Sequence, residues 1–349
     1  EKSNIDRLAG ARTLLFFVKK YSFANLCISA ITRNRMPWFS PQLTNRHLSG
    51  HRKKKRIFAQ TTTRMKIYAA PLQGHTQAAW RRHHAAVFGG IDTYYTPFLR
   101  VEKGETRRRD RADIAPENNP GLALAPQALF RDAAEFRVIA KAVEASGSAT
   151  LDLNLGCPFP PQTRHGRGAA LIRKPGLLRE IGEIAATEFP GLRLSVKTRL
   201  GLEKPDEWRD MIDTLNDMPL ERIAVHPRVA AQQYGGEPHT GEFEEFLAAA
   251  AHPVVFNGDL LSLDDMRRTA ERYPGLDGLM AGRGLLARPS LGLEWRSGIE
   301  MDAEELRTRV LALHDAVLTD YAATLCGDAQ ILSKIKPFWE FQIPDTLFP

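Results

Sequence analysis

The sequence predicts an α/β protein, a (β/α)8 TIM barrel followed by a small C-terminal helical domain. Three observations carry this prediction. Short, apolar, β-rich runs recur about every 24 to 42 residues, which is the spacing of βαβ units. Helical patterns lie between several of these runs. Strand-like runs then stop near Gly298, and two helical patterns follow.

The strand-like runs number eight, and eight β/α units in about 230 residues fit a closed barrel better than a doubly wound sheet. The runs are 66–70, 91–95, 121–125, 150–155, 192–197, 222–226, 253–257 and 277–281.

Helical periodicity supports the units between the runs. Segment 132–145 places its apolar residues on one face, and Asp132 with Glu135 predicts a capping box. Segments 175–188 and 262–272 have similar patterns, with Ser262 as the expected N-cap. After the barrel, Asp302 and Glu305 predict a helix start, and a second helix is expected over 328–339.

Composition bounds the class of protein. The chain has 349 residues, 43% hydrophobic and 26% charged, which is typical of a soluble globular protein with a sizeable core. Cys27, Cys157 and Cys326 are far apart, which argues against a disulfide framework or a cysteine-rich metal site and favours a reducing, cytoplasmic compartment. No apolar stretch reaches the roughly 18–20 residues needed to cross a bilayer.

The first 64 residues differ from the rest of the chain. They hold 14 of the 48 lysines and arginines but only two acids, Glu1 and Asp6. The segment has no lasting periodicity, and Met65 directly precedes the first strand-like run. We interpret residues 1–64 as a basic, disordered or non-native extension; an organelle-targeting peptide or a nucleic-acid-binding arm are the alternatives.

The candidate site lies where the predicted strands end. Run 150–155 stops at Gly156, and Cys157 follows at its carboxyl end. The active sites of parallel barrels lie at this end of the strands. The other strand ends are also polar, and although each residue alone has an ordinary structural reading, together they indicate a site. This set comprises Pro71, Tyr95, Gln127, Asn154, Lys197, Arg199, His226, Arg228, Asn257, Asp259, Gly282 and Arg283.

Two late loops predict a phosphate site. Asn257-Gly258-Asp259 and Gly282-Arg283-Gly284 follow the seventh and eighth strands, where barrels commonly bind phosphate. Glycines let backbone N–H groups approach phosphate oxygens, and Arg283 adds charge. Lys197 would sit deeper, where a cation beside the N1–C2 edge of a flavin stabilises the reduced ring.

Taken together, these motifs resemble the tRNA-dihydrouridine synthases. Asn154-Leu155-Gly156-Cys157-Pro158 is similar to the family's N-x-G-C-P signature, and Ala70-Pro71-Leu72-Gln73-Gly74 to its opening motif. Leu72 stands where the family usually has methionine, and only the glutamine matches around Gln127. The remaining motifs follow in the family's order: 196–201, His226-Pro227-Arg228, 257–259 and 282–284.

The resemblance implies an FMN-binding barrel over 65–298 and a helical tRNA-binding appendage over 299–349, with a tail short enough to suggest truncation. NADPH would reduce FMN, reduced FMN would pass hydride to C6 of a tRNA uridine, and Cys157 would protonate C5. It further implies a cytoplasmic, monomeric protein without a metal, with Arg164 and Arg167 near RNA phosphate. The implied contacts to FMN are Pro71, Leu72, Gln127, Lys197, His226, Asn257, Gly258, Asp259, Gly282 and Arg283, and those to uracil are Asn154, Arg199, His226 and Arg228.

Three questions stay open at this level. An FMN barrel acting on a free pyrimidine, as in dihydroorotate-type dehydrogenases, is the nearest enzymatic alternative. A non-catalytic RNA-binding barrel without flavin is the alternative from another class. The run Arg107, Arg108, Arg109 and Arg111 is either an RNA-binding patch or a solvated surface.

Overall fold

The computed structural model describes residues 65–342, so the predicted basic extension and the last seven residues lie outside the described part of the chain. Contacts along the chain define two compact units, one ending at Met301 and the other including the residues from Asp302 onward.

A parallel sheet forms the first unit. Within residues 65–301, nine of its strands share one sheet in the order β5-β2-β1-β11-β10-β9-β8-β7-β6, and β3 pairs antiparallel with β4 in a separate hairpin. The strands are β1 Lys66–Ala69, β2 Thr93–Tyr95, β3 Val101–Glu102, β4 Glu105–Thr106, β5 Leu124–Ala125, β6 Gln127–Ala128, β7 Thr150–Leu155, β8 Arg193–Gly201, β9 Leu220–Val229, β10 Val254–Phe256 and β11 Gly278–Ala281.

The sheet closes into the predicted barrel at Pro126. This residue separates β5, which pairs with β2, from β6, which pairs with β7. Proline has no N–H to give to a ladder, so the strand breaks there. Its carbonyl still accepts from the Asp152 N–H at 2.8 Å. The nine strands therefore occupy the eight positions of a (β/α)8 barrel, and the third predicted strand is displaced to 124–128.

Helices cover the outside of the sheet, as the pattern predicts. The helices of this unit are α1 Ala78–Val87, α2 Arg108–Ile114, α3 Ala133–Ala145, α4 Pro160–Thr163, α5 Pro175–Glu188, α6 Arg209–Asp217, α7 Thr240–Ala249, α8 Leu263–Arg272, α9 Arg283–Ala287 and α10 Leu291–Ser297.

The predicted caps are largely confirmed. Ser262 and Asp265 form a reciprocal capping box at α8. At α3 only half of the predicted box exists. Asp132 accepts from the Glu135 N–H at 2.9 Å, but the Glu135 carboxylate reaches Arg131 and Arg167 instead of the cap's own N–H.

Two strands are longer than predicted. β8 continues to Gly201 and β9 to Val229, and their pairing extends through Arg199↔His226 to Gly201↔Val229. Because alternate residues of a strand share a face, Lys197 and Arg199 point the same way, as do His226 and Arg228. The extra residues of β8 and β9 place the charged side chains of Arg199 and Arg228 beyond the apolar interior of the barrel.

The second unit is helical, as predicted. Helix α11 spans Ala303–Thr324, α12 spans Asp328–Ile335, and a 3-10 turn covers Lys336–Trp339. Asp302 caps α11 by accepting from the Glu304 N–H at 2.9 Å. The predicted face of α11 is buried through Leu306, Val310, Leu313 and Val317.

Candidate active site

A cleft opens at the carboxyl ends of the barrel strands. Its empty space, with the open mouth included, is about 890 Å³. Most of the residues predicted from the sequence line it. They are Pro71, Leu72, Gln127, Asn154, Cys157, Lys197, Arg199, His226, Asn257, Gly258, Gly282 and Arg283.

Cys157 sits on a tight turn at the end of β7. Its carbonyl accepts from the Ala169 N–H at 3.1 Å, and Gly168 lies against it so closely that an added Cβ would be 2.8 Å from the Cys157 Cβ. Burial raises the pKa of the Cys157 thiol, although the Phe159 N–H and nearby cations oppose that shift. The sulfur is therefore protonated at neutral pH, which suits an acid.

Asn154 and Gln127 are largely committed to the protein. The Asn154 Oδ1 accepts from the N–H groups of Gly156 at 3.1 Å and Cys157 at 2.8 Å. Its Nδ2 donates to Gln127 Oε1 at 2.6 Å, and the Gln127 Nε2 donates to Asp152 at 2.7 Å. Each amide has one N–H left to donate. The Asn154 oxygen already accepts two bonds, whereas the Gln127 oxygen accepts one and can accept a second.

Lys197 presents an ammonium group to the cleft. Among the described residues, its Nζ has no hydrogen-bond or ion-pair partner, and it forms no ion pair with the neighbouring Asp152. Burial, and then the neighbouring Arg199, lower the pKa of Lys197 to about 8. A bound anion would stabilise the protonated form of Lys197.

The cationic surroundings keep His226 neutral. Burial, followed by Arg199, Lys197 and other cations, lowers the pKa of His226 well below its usual value. The Arg228 Nη1 lies 3.2 Å from His226 Nε2. Because a guanidinium only donates, Nε2 must accept. The ring proton is thus on Nδ1.

Arg199 is fixed by backbone carbonyls. Its Nε donates to the Gly156 carbonyl at 3.0 Å and its Nη1 to that of Val229 at 3.1 Å. The guanidinium thereby ties the Cys157 turn to the extended end of β9.

Three predicted residues do not line the cleft: Tyr95, which is fully buried, and the pair Arg228 and Asp259. Arg228 is 3% exposed, and its donors go to Asp259, the Gly236 carbonyl and His226. Asp259 also accepts from Arg283 at 2.6 Å. Arg228 and Asp259 therefore contact two residues that do line the cleft, His226 and Arg283.

The glycines of the two late loops are required by close packing. A Cβ on Gly258 would lie 2.5 Å from the Phe256 ring. A Cβ on Gly284 would lie 1.8 Å from the Leu260 carbonyl oxygen. Only glycine lets these loops approach each other, which places Arg283 beside the cleft.

The structure adds a residue that sequence reasoning missed. Tyr234 lines the cleft, is 43% exposed, and lies with its ring centroid 5.6 Å from the Arg199 guanidinium and 4.6 Å from that of Arg283. It belongs to the loop after β9, where no strand end marks it. The sequence signal that could have identified Tyr234 is an aromatic residue followed directly by two glycines.

Several arginines of the predicted basic patches bond to other groups of the protein. Arg107 pairs with Asp110 at 2.7 Å, and Arg111 bonds to Thr106, whereas Arg109 is 71% exposed on its side chain. In the loop after β7, Arg167 forms a largely buried pair with Glu135, with Nε to Oε2 at 3.1 Å.

The described residues contain neither a metal-binding cluster nor a membrane-spanning helix. No group of three or more histidine, cysteine or acidic side chains in residues 65–342 is arranged to hold a metal ion. No helix in that part of the chain is long and apolar enough to cross a membrane.

Comparison with known proteins gives a consistent result. The family model described as Dihydrouridine synthase (Dus) matches residues 68–323. "Probable tRNA-dihydrouridine synthase 2" of Bacillus subtilis (strain 168) is 30% identical over 231 residues, covering 63% of this chain and 69% of that protein. "tRNA-dihydrouridine(16) synthase" of Aquipseudomonas alcaligenes is 30% identical over 237 residues, covering 65% and 74%.

Proposed function

Because this chain belongs to the dihydrouridine synthase family, we propose that it reduces a uridine of tRNA to 5,6-dihydrouridine, with FMN as hydride carrier and NADPH as reductant. The product differs from uridine by two hydrogens, so the enzyme is an oxidoreductase. The observation that carries the proposal is one cleft that holds both a protonated thiol, Cys157, and an unpartnered ammonium, Lys197.

The cleft fits a flavin by its own chemistry. Lys197 is a half-buried cation without an ion-pair partner among the described residues, suited to the N1–C2 edge of the ring system. Arg283 and the tightly packed glycine loops would hold the phosphate, with Pro71 and Leu72 beneath the ring. Gln127 offers its remaining N–H. When bound, FMN supplies the hydride that uridine C6 receives.

The protein's own groups would handle the proton and the base. Cys157 gives its proton to C5 as charge builds on the ring, a role that its raised pKa favours. Asn154, Arg199 and the Nδ1–H of His226 are donors for the uracil carbonyl oxygens. Arg228 acts indirectly by fixing the histidine tautomer.

A barrel rim reaches only an extruded base, so the target uridine must leave its stack. The exposed Arg109 and Arg164 are candidates for phosphate contacts, and the helical unit for further tRNA binding. We place the protein in the cytoplasm with its tRNA substrate.

The test is to incubate the purified protein and NADPH with unmodified tRNA, to digest the tRNA to nucleosides, and to measure the mass of each nucleoside. We expect a visible flavin spectrum and a gain of two hydrogens on a uridine. Turnover of free uracil or dihydroorotate without tRNA reduction would favour the dihydroorotate-type alternative. Protein that binds tRNA but shows no visible absorbance would contradict enzymatic function.

A further inference from the structure

A chain of hydrogen bonds runs from the interior of the barrel to the Cys157 turn. It starts at Asp152, which is fully buried in β7. The Asp152 Oδ2 accepts from Gln127 Nε2 at 2.7 Å, and Gln127 Oε1 accepts from Asn154 Nδ2 at 2.6 Å. The Asn154 Oδ1 then holds the N–H groups of Gly156 and Cys157.

The direction of this chain is set at its buried end. The two ends of a carboxamide are nearly identical in shape, so packing alone does not decide which end faces a neighbour. An ionised carboxylate only accepts, so Gln127 must turn its NH2 toward Asp152. Gln127 then offers oxygen to Asn154, which must donate with Nδ2 and is left with Oδ1 for the turn. Reversing Asn154 would aim its NH2 group at the two backbone N–H groups. Reversing Gln127 would set its oxygen against the Asp152 carboxylate and its NH2 against that of Asn154.

We propose that Asp152 is a positioning residue for Cys157, fixing through Gln127 and Asn154 the amide orientations that hold the catalytic turn. The inference rests on the proposed function, because it gives Cys157 its role as the acid. Asp152 itself is fully buried and does not line the cleft.

A matched control lies on the same carboxylate. Ser195 is also fully buried, and its Oγ donates to Asp152 Oδ1 at 2.7 Å. This bond leads away from Cys157 and leaves the amide chain intact. Removing it tests whether any damage to the buried network is enough to disturb the turn.

The experiment compares Asp152→Leu, Asp152→Asn and Ser195→Ala. Leucine removes the acceptor and keeps the branched shape of the carboxyl group, although it is larger. Asparagine keeps a carbonyl for Gln127, and the Ser195 hydroxyl changes from donor to acceptor for its amide. The readouts are the iodoacetamide alkylation rate of Cys157, resolved by peptide mass, and kcat and KM for tRNA. The exposed Cys326 is the internal reference for alkylation.

For Asp152→Leu we expect Cys157 alkylation to rise about fivefold and kcat to fall about tenfold or more at nearly constant KM, because the freed turn no longer aligns the thiol. We expect Asp152→Asn and Ser195→Ala to stay within about twofold of the parent, since both keep the chain's direction.

Parental alkylation and kcat in Asp152→Leu would overturn the proposal, as would an equal effect of Ser195→Ala. If the leucine variant does not fold, Gln127→Met breaks the chain one link nearer the turn, and parental alkylation there would also overturn it. If tRNA is not reduced even by the parent while Asp152→Leu still exposes Cys157, the positioning stands and the proposed function fails.

Discussion

The close approach of Gly168 to Cys157 allows a sharp test of how the catalytic loop is built. Gly168 has φ +60°, and a Cβ placed on it would lie 2.7 Å from the Cys157 carbonyl oxygen and 2.8 Å from its Cβ. Gly168→Ala therefore introduces both left-handed strain and a collision with backbone. Gly166, in the same loop, has φ +70°, but its added Cβ would meet only the flexible tip of Lys174.

The two substitutions share one cost and differ in the other. An alanine in the left-handed region costs about 1–2 kcal/mol at either position. Gly168→Ala must in addition move the Cys157 turn by roughly 0.6–0.7 Å to restore ordinary contact distances. A displacement of about 1 Å in a catalytic group can cost about 10²-fold, so we expect a loss of about tenfold or more in kcat.

The assay measures unfolding in urea and kcat for tRNA reduction on both variants. Both should lose similar stability, whereas only Gly168→Ala should lose kcat beyond about twofold. Equal kcat values for the two variants would refute the reasoning that the loop sets the position of Cys157 through this contact.

Two other predictions follow from charge. Because burial lowers the pKa of Lys197 to about 8, its charge and the tRNA-reducing activity should fall as pH rises through about 8. Because the pKa of Lys197 is lowered in the folded protein, its positive charge destabilises the fold below about pH 8, and this destabilisation fades at higher pH. Unfolding caused by this group therefore does not explain the loss of activity above pH 8. In Lys197→Arg the fall in activity at alkaline pH should occur at a higher pH. A fall at the same pH as in the parent would exclude Lys197 as its source. Asp259→Ala leaves the buried Arg228 without its carboxylate and should cost about 1–3 kcal/mol in urea unfolding. Asp264→Ala, which breaks an exposed pair with Arg268, should cost less than about 0.5 kcal/mol, and equal costs would contradict this account.

The sequence was sufficient for the barrel because parallel strands leave continuous apolar runs at regular spacing. It could not locate the break at Pro126, since a proline also fits the start or end of a strand. It missed the extra length of β8 and β9 because Arg199 and Arg228 are charged, and charged residues usually mark the end of a buried strand. Only the paired structure shows the carbonyls and the carboxylate that satisfy them.

The candidate site was predictable to the extent that it lies at strand ends. Cys157 and Lys197 follow from the alternation of strand faces together with the fold. The positions of Arg228 and Asp259 outside the cleft lining depend on a contact between separate loops, which spacing along the chain does not encode. The role inferred for Asp152 likewise needs bond directions as well as proximity.

The most direct test of the central claim is the dihydrouridine content of tRNA after incubation with the Cys157→Ala protein and NADPH. The account predicts that the variant keeps the visible absorbance of its flavin, since Lys197 and the glycine loops are untouched. We also expect dihydrouridine formation to fall by about 10²-fold or more, because the variant lacks the thiol proposed to protonate C5. Formation of dihydrouridine at the parental rate would contradict the assignment of Cys157 as the proton donor.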